Sequence, residues 1–222
     1  MRDMLEIAPS LLSADFGYLM KDIESVEKEC RFLHLDVMDG HYVPNLSIGI
    51  PVIKSIRKYS DMIFDTHLMI TEPEKYVKAF ADAGSDYITF HIECSDDPSA
   101  LMGQIRKLGK KAGVAIHPDT PIEKIFPYVK EADLILIMSV RPGFGGQSYM
   151  EGSTERIAAV RAEMDRVGSE AILSVDGGIN VNTIAEAHKA GADLLVAGSA
   201  CFGKEDPGAA AAELKVRACE SV

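Results

Sequence analysis

The chain has no tryptophan, only four cysteines and no apolar run near the length of a membrane span. A span needs ~20 apolar residues, and the longest near-apolar stretch, Asp133 to Val140, falls far short of that. No membrane partner is therefore expected. No basic, apolar, small-residue leader opens the sequence, so an export signal is not expected and the expected location is cytoplasmic. The cysteines, Cys30, Cys94, Cys201 and Cys219, show no CxxC spacing. In a reducing compartment they read as free thiols rather than as disulfides or a zinc site. Positive charge is also short: 23 Lys plus Arg stand against 34 Asp plus Glu, a formal net charge of −11. A nucleic-acid backbone would be repelled, and no Lys/Arg cluster offsets this, so nucleic acid is not an expected partner. A small phosphorylated ligand stays possible, because backbone N–H groups bind phosphate without net positive charge. No Gly/Ser/Pro-rich linker or low-complexity tract divides the chain, and 222 residues suit a single domain spanning 1–222.

What is present is an alternation of short apolar runs with longer amphipathic ones. The strand-like runs are Leu5–Ser10, Phe32–Met38, Met62–Met69, Tyr87–Ile92, Ala112–His117, Leu134–Val140, Ala171–Asp176 and Asp193–Ala197. Their length and Val/Ile/Leu content suit strands buried on both faces. Helical patterns lie between them. In Asp15–Cys30 the stripe Phe16, Leu19, Met20, Ile23, Val26, Cys30 has the helical period, and Thr154–Val167 repeats it with Ile157, Val160, Met164 and Val167. Asp97-Pro98, Thr120-Pro121 and Asp206-Pro207 each put a capping side chain before a proline at a helix start, and Glu123 offers Thr120 a capping box. Gly84, Gly168 and Gly191 mark helix ends.

Eight strand–helix pairs in 222 residues average about 28 residues each, the size of a βα unit. The competing architecture, a doubly wound open sheet, carries a glycine-rich turn after its first strand. Here Ser-Leu-Leu-Ser-Ala-Asp follows the first strand, and the glycine-rich turns follow the sixth, seventh and eighth. A β/α barrel builds its phosphate site there. The expected fold is an α/β protein, a single (β/α)8 TIM barrel.

Barrel enzymes gather their functional groups at the C-terminal ends of the strands. Those ends carry Ser10, His34, Asp36, His67, His91, Glu93, His117, Ser139, Asp176 and Ser199. His34 and Asp36 are two apart and so point to one face of their strand. With His67 on the next strand and Asp176 across the barrel, they form a set of two imidazoles and two carboxylates. That mix suits one divalent Zn, Fe, Mn or Co ion and suits Ca or Mg poorly. Each histidine alone is better explained as a hydrogen-bonded core residue; four ligand types on one face reverse that.

Three glycine segments supply a second feature: Arg141-Pro-Gly-Phe-Gly-Gly-Gln147, Asp176-Gly-Gly-Ile179 and Ala197-Gly-Ser199. Each alone is a chain turn, but three side by side favour a phosphate cradle. A divalent ion beside a phosphate anchor points to a phosphorylated hydroxy-ketone, with the ion stabilising the charge that develops as an α-proton leaves. Inverting that carbon needs acid/base groups on opposite faces, and Asp36 and Asp176 are the separated candidates.

These residues closely resemble the ribulose-phosphate 3-epimerase family. The matching blocks are Ile7–Phe16, His34–Asn45, Asp65–Met69, Met138–Ser148, Val175–Ile179 and Ala197–Ser199, in order along nearly the whole chain. The His34–Asn45 and Pro142–Gln147 blocks are the most specific. The resemblance implies a barrel isomerase of carbohydrate metabolism. It would interconvert D-ribulose 5-phosphate and D-xylulose 5-phosphate in the pentose phosphate pathway, by two-base proton transfer through an enediolate. It implies a divalent metal on His34, Asp36, His67 and Asp176, with Asp36 accepting and Asp176 donating the proton. Ser10 and His67 would contact the substrate. Gly143, Phe144, Gly145, Gly146, Gly177, Gly178, Gly198 and Ser199 would bind it, chiefly at its phosphate end. Met38, Met69 and Met138 are either apolar lining near the reacting carbon or plain core. A homo-oligomer is expected.

Two positions depart from the family pattern, His117 and Arg141, and both are expected to meet solvent. His41, His91 and His188 are expected to have structural or surface roles. An allulose 6-phosphate 3-epimerase of the same design differs in pocket length, which sequence fixes poorly. A non-catalytic phosphosugar-binding barrel should have lost a ligand or a carboxylate, and this chain has not. A Schiff-base aldolase is disfavoured, as no lysine stands at a strand end beside the metal set.

Overall fold

The computed structural model describes residues 4–220. Eight parallel strands run in the order β1-β8-β7-β6-β5-β4-β3-β2. They are β1 (Glu6–Pro9), β2 (Phe32–Met38), β3 (Ile63–Met69), β4 (Tyr87–His91), β5 (Lys111–Ile116), β6 (Leu134–Met138), β7 (Ile172–Asp176) and β8 (Leu194–Ala197). The seam between β1 and β2 is closed by a parallel bridge from Ser10 to His34. The expected (β/α)8 barrel is thus present, and each expected strand is found within one or two residues of its bounds. The helices are α1 (Leu19–Val26), α2 (Ile50–Ile56), α3 (Val77–Ala83), α4 (Pro98–Lys107), α5 (Ser153–Val167), α6 (Ile184–Lys189), α7 (Ser199–Phe202) and α8 (Pro207–Ala218). Among the described residues no helix is long and apolar enough to cross a membrane.

Two of the expected caps form: Asp97 accepts from the Ala100 amide at 3.0 Å and Asp206 from the Ala209 amide at 2.9 Å. Such caps contribute about 1 kcal/mol each. Two expectations fail. The helix read over Asp15–Cys30 starts only at Leu19, because Asp15 accepts from the Gly17 amide in a local turn that competes with helical bonding. No α-helix begins at Thr120-Pro121. Pro121 is extended (φ −53°, ψ 129°) and two 3-10 turns, Ile122–Lys124 and Phe126–Tyr128, connect β5 to β6. Pro127 lacks an N–H and its ring opposes a continuing helix. Thr120 makes no capping box with Glu123; its side chain hydrogen-bonds Glu93 instead.

Alternation along the strands separates two apolar regions. Outward residues such as Leu33, Leu35, Ile135 and Leu173 pack with helix residues Ile23, Val26, Ile157 and Leu214. Inside the barrel, Phe32, Leu134 and Leu194 pack with Ile63, Tyr87 and Ile172. All six stand at or near the starts of their strands, so the N-terminal half is a dry plug. Further along, the inward positions become His34, Asp36, Asp65, His67, Thr89, His91, Ser174 and Asp176. The polar groups therefore meet at the C-terminal mouth.

Candidate metal centre and phosphate pocket

In the β2–β3 ladder His34 lies opposite Asp65 and Asp36 opposite His67. The same register slants His67 toward His34 and Asp36, while Asp176 reaches in from the last residue of β7. His34 Nε2 lies 3.3 Å from Asp36 Oδ1, 3.4 Å from His67 Nδ1 and 4.0 Å from Asp176 Oδ2. His67 Nδ1 lies 3.2 Å from Asp36 Oδ1 and 3.9 Å from Asp176 Oδ2. One donor atom from each of the four is within 4.8 Å of the others. Tetrahedral ligands at about 2.0–2.2 Å from an ion stand about 3.3–3.6 Å apart, so this group can hold a metal ion with little adjustment. The imidazole–carboxylate chemistry fits a transition metal.

The field at the cluster favours a cation. Burial pushes the His34 imidazole down, but Asp36 and Asp65 outweigh it and draw the ring toward its charged form. Burial pushes the Asp36 carboxyl up, and His34 and His67 outweigh that and hold it well below the usual range. Asp176 goes the other way: burial and the neighbouring Asp36 charge push it up to about 6. His67 is pushed down by burial. Ser10, brought across the closing seam, donates to Asp36 Oδ2 at 2.5 Å.

A cavity of about 240 Å³ opens above the cluster. Of the expected site residues, Ser10, Asp36, Asp176, Gly143, Phe144, Gly145, Gly146, Gly177, Gly178, Gly198 and Ser199 all line it, together with Met38, Met69 and Met138. His34 and His67 have no exposed surface and sit beneath its floor. The glycine loops approach one another closely. A Cβ on Gly178, whose φ is 65°, would stand 2.2 Å from the Tyr149 backbone nitrogen. Ser139 donates to the Asp176 and Gly177 carbonyls at 2.9 and 2.6 Å, pinning the β7 loop to β6. Gln147 Nε2 donates to the Arg141 and Phe144 carbonyls at 2.7 and 2.8 Å, and Asn45 Nδ2 to the Gly143 carbonyl at 2.8 Å. Those bonds tie the β6 loop to itself and to the loop after β2.

The expected bystanders divide. His41 is exposed, and His188 Nδ1 donates to the Ala192 carbonyl at 2.8 Å. Arg141 pairs with Asp119 on the surface at 3.1 Å, and His117 Nδ1 accepts from the Asp119 amide at 3.1 Å; neither lines the cavity. His91, expected to be structural or surface, is fully buried with its Nε2 2.9 Å from His67 Nε2. Asp65, Tyr42 and Ser13 lie in the family-matching blocks but carry no expected site role; Asp65 contacts His34, Tyr42 contacts His91 and Ser13 lines the cavity. Asp65 shares the inward face of His67 by strand alternation, the signal that finds it. Tyr42 comes from the loop after β2 and Ser13 from a 3-10 turn, Leu11–Ser13, and no periodicity points to them.

Fold and site together define a (β/α)8-barrel enzyme whose mouth combines a centre able to hold a metal ion with a glycine-walled pocket. The chain belongs to the ribulose-phosphate 3 epimerase family, whose profile matches residues 6–202. It is 44% identical over 212 residues to the ribulose-phosphate 3-epimerase of Mycobacterium leprae, covering 96% of this chain and 94% of that protein. It is 42% identical over 216 residues to the ribulose-phosphate 3-epimerase of Bacillus subtilis, covering 96% and 99%. The cytoplasmic isoform of Oryza sativa is 44% identical over 208 residues, covering 91% and 90%. Among solved structures, KGPDC from Streptococcus mutans superposes with a TM-score of 0.74 at 15% identity, covering 97% and 98% of the two chains. Orotidine 5'-phosphate decarboxylase from Pyrococcus horikoshii does so with a TM-score of 0.69 at 17% identity, covering 97% and 100%. At these identities the likeness is one of fold.

Proposed function

We propose that this chain interconverts D-ribulose 5-phosphate and D-xylulose 5-phosphate, one of Asp36 and Asp176 taking the carbon 3 proton from one face and the other giving its own proton to the opposite face, with solvent exchange resetting the pair. The observation that carries the proposal is the placement of these two carboxylates, on β2 and β7, at the floor of one cavity whose far wall is three glycine loops. A ketose phosphate spanning floor and wall would present carbon 3 between two carboxylates. Asp36, held anionic, removes the proton from one face, and Asp176, the more readily protonated, returns one on the other; the reverse reaction exchanges the roles. A divalent Zn, Fe, Mn or Co ion on His34, Asp36, His67 and Asp176 would supply positive charge beside the oxygen that becomes anionic. Ser10 would orient Asp36, and His67, which has no exposed surface, would serve the ion without the substrate contact expected of it. The N–H groups of Gly143–Gly146, Gly177, Gly178, Gly198 and Ser199 would hold the phosphate, with Phe144 at the rim and Met38, Met69 and Met138 excluding water.

Residues 1–222 would then form one catalytic domain; residues 1–3 and 221–222 lie outside those described. The unpaired thiols Cys30, Cys94, Cys201 and Cys219 support a cytoplasmic setting. Exposed Phe16, Tyr18 and Leu46 support self-association into a homo-oligomer.

The test uses metal-reconstituted protein in deuterated water. Ribulose 5-phosphate should convert to xylulose 5-phosphate with deuterium at carbon 3, and Asp36→Asn or Asp176→Asn should lower kcat by about 100-fold or more. Binding without exchange would instead mark a non-catalytic barrel, and a higher kcat/KM on allulose 6-phosphate would move the substrate to six carbons.

A further inference from the structure

The two ring nitrogens of His67 have different surroundings. Nδ1 faces Asp36 and Asp176, while Nε2 lies 2.9 Å from His91 Nε2. At that separation one nitrogen must carry a proton and the other a lone pair. The far side of His91 decides which. Its Nδ1 lies 2.9 Å from the Tyr42 hydroxyl and 3.5 Å from Glu93 Oε2. A carboxylate only accepts, so the His91 proton belongs on Nδ1 and its Nε2 is left as an acceptor. His67 then carries a proton on Nε2, so that Nδ1, 3.2 Å from the Asp36 carboxylate, is the nitrogen that offers its lone pair when an ion enters the cluster. The His91 ring is held in place by stacking, 5.0 Å from His67 and 4.7 Å from Tyr42 between centroids. An apolar ring would fill this space without the desolvation cost of a buried imidazole, so packing alone does not account for His91.

We propose that His91 is a positioning residue: with Tyr42 and Glu93 behind it, it fixes the tautomer and ring plane of His67 so that Nδ1 is offered to a metal ion. The inference rests on the proposed metal centre, and its test separates the two. In metal-free parent protein labelled with 15N-histidine, long-range proton–nitrogen NMR should show His91 neutral, protonated on Nδ1 and bare on Nε2. His91→Phe keeps the ring and removes the acceptor, and should weaken Zn²⁺ affinity, read by chelator competition, about 10–100-fold. His91→Gln returns an acceptor oxygen and should recover most of that loss, with the far-ultraviolet circular dichroism of both variants unchanged. A His91 protonated on Nε2 in the parent overturns the inference, as does a His91→Phe affinity within threefold of the parent's. Should the parent bind no metal, the metal centre fails, and the NMR tautomer still decides the role of His91. Should His91→Phe not fold, His91→Gln and the parent spectrum decide it.

Discussion

Asp65 Oδ2 lies 2.8 Å from His34 Nδ1, with both side chains fully buried. The carboxylate can only accept, so His34 keeps its proton on Nδ1 and turns Nε2 to Asp36 and His67. Thr89 donates to the other Asp65 oxygen at 3.2 Å. That contact depends on glycine at position 113, where a Cβ would stand 2.2 Å from the Thr89 hydroxyl. Asp65→Asn keeps the shape but removes the charge that raises the basicity of His34. The expected result is a Zn²⁺ affinity about tenfold or more weaker by chelator competition. An unchanged affinity would show that Asp65 is merely a satisfied core residue.

Ser10 acts on a second carboxylate of the cluster, Asp36. Its hydroxyl gives Asp36 a charge-assisted bond at 2.5 Å, a class worth about 1.5–3 kcal/mol. Ser10→Ala should lower kcat for epimerisation by about 10–100-fold, because Asp36 loses the contact that aims its oxygen into the cavity. Ser10→Thr should keep more activity than Ser10→Ala. Equal kcat in the parent and Ser10→Ala would leave Ser10 as a seam residue only.

Much of this site was legible because strands encode direction. A spacing of two put His34 and Asp36 on one face, and the ends of short apolar runs located His67 and Asp176 without any knowledge of contacts. The same alternation predicts Asp65 two residues before His67, but a carboxylate inside the barrel reads as a further ligand or as nothing until its distance to His34 Nδ1 is known. His91 stands at a strand end and reads as structural or surface, since sequence does not show that neighbouring strands stagger enough to set its ring against His67. Tyr42 lies on a loop and Ser13 on a short 3-10 turn, both outside regular strands and α-helices, and no spacing rule reaches them. The missing helix after β5 has a local cause: Pro127, about two turns beyond the capping pattern at Thr120, opposes a continuing helix.

Glu93 gives the structure an acid-sensitive point. Burial pushes its carboxyl up, but hydrogen bonds from His91, Thr120 and the His117 amide outweigh this and hold it at about 2, below its ordinary 4.5. A carboxylate with a depressed folded value stabilises the fold fully above its unfolded value, and that contribution fades as pH falls from about 4.5 toward about 2. With the side chain 24% exposed, the contribution at neutral pH is on the order of 2 kcal/mol. Glu93→Gln should therefore be less stable than the parent at pH 7 by about that amount in urea unfolding, with the two curves converging only as pH reaches about 2. A constant difference across that range would mean the loss arises from packing and not from charge.

The glycine loops make a sharper test of the pocket, because the glycines in them are not equivalent. Gly178 has φ 65°, and a Cβ there would collide with the Tyr149 backbone nitrogen at 2.2 Å and its Cα at 2.6 Å. Backbone cannot swing aside as a side chain can, so Gly178→Ala must displace the β7 loop against the β6 loop. Gly145 has an ordinary φ, and a Cβ there would meet no atom closer than 3.6 Å. Gly145→Ala also keeps its N–H. If backbone N–H groups from these loops hold the phosphate, Gly178→Ala should raise KM for the sugar phosphate by about tenfold or more, and weaken inorganic phosphate binding in parallel, while kcat falls much less. Gly145→Ala should leave both within about threefold, since it removes no donor and forces no movement. Steady-state kinetics and phosphate titration on the two variants side by side check this. Similar KM values would mean that the phosphate end is held somewhere other than the junction of the β6 and β7 loops.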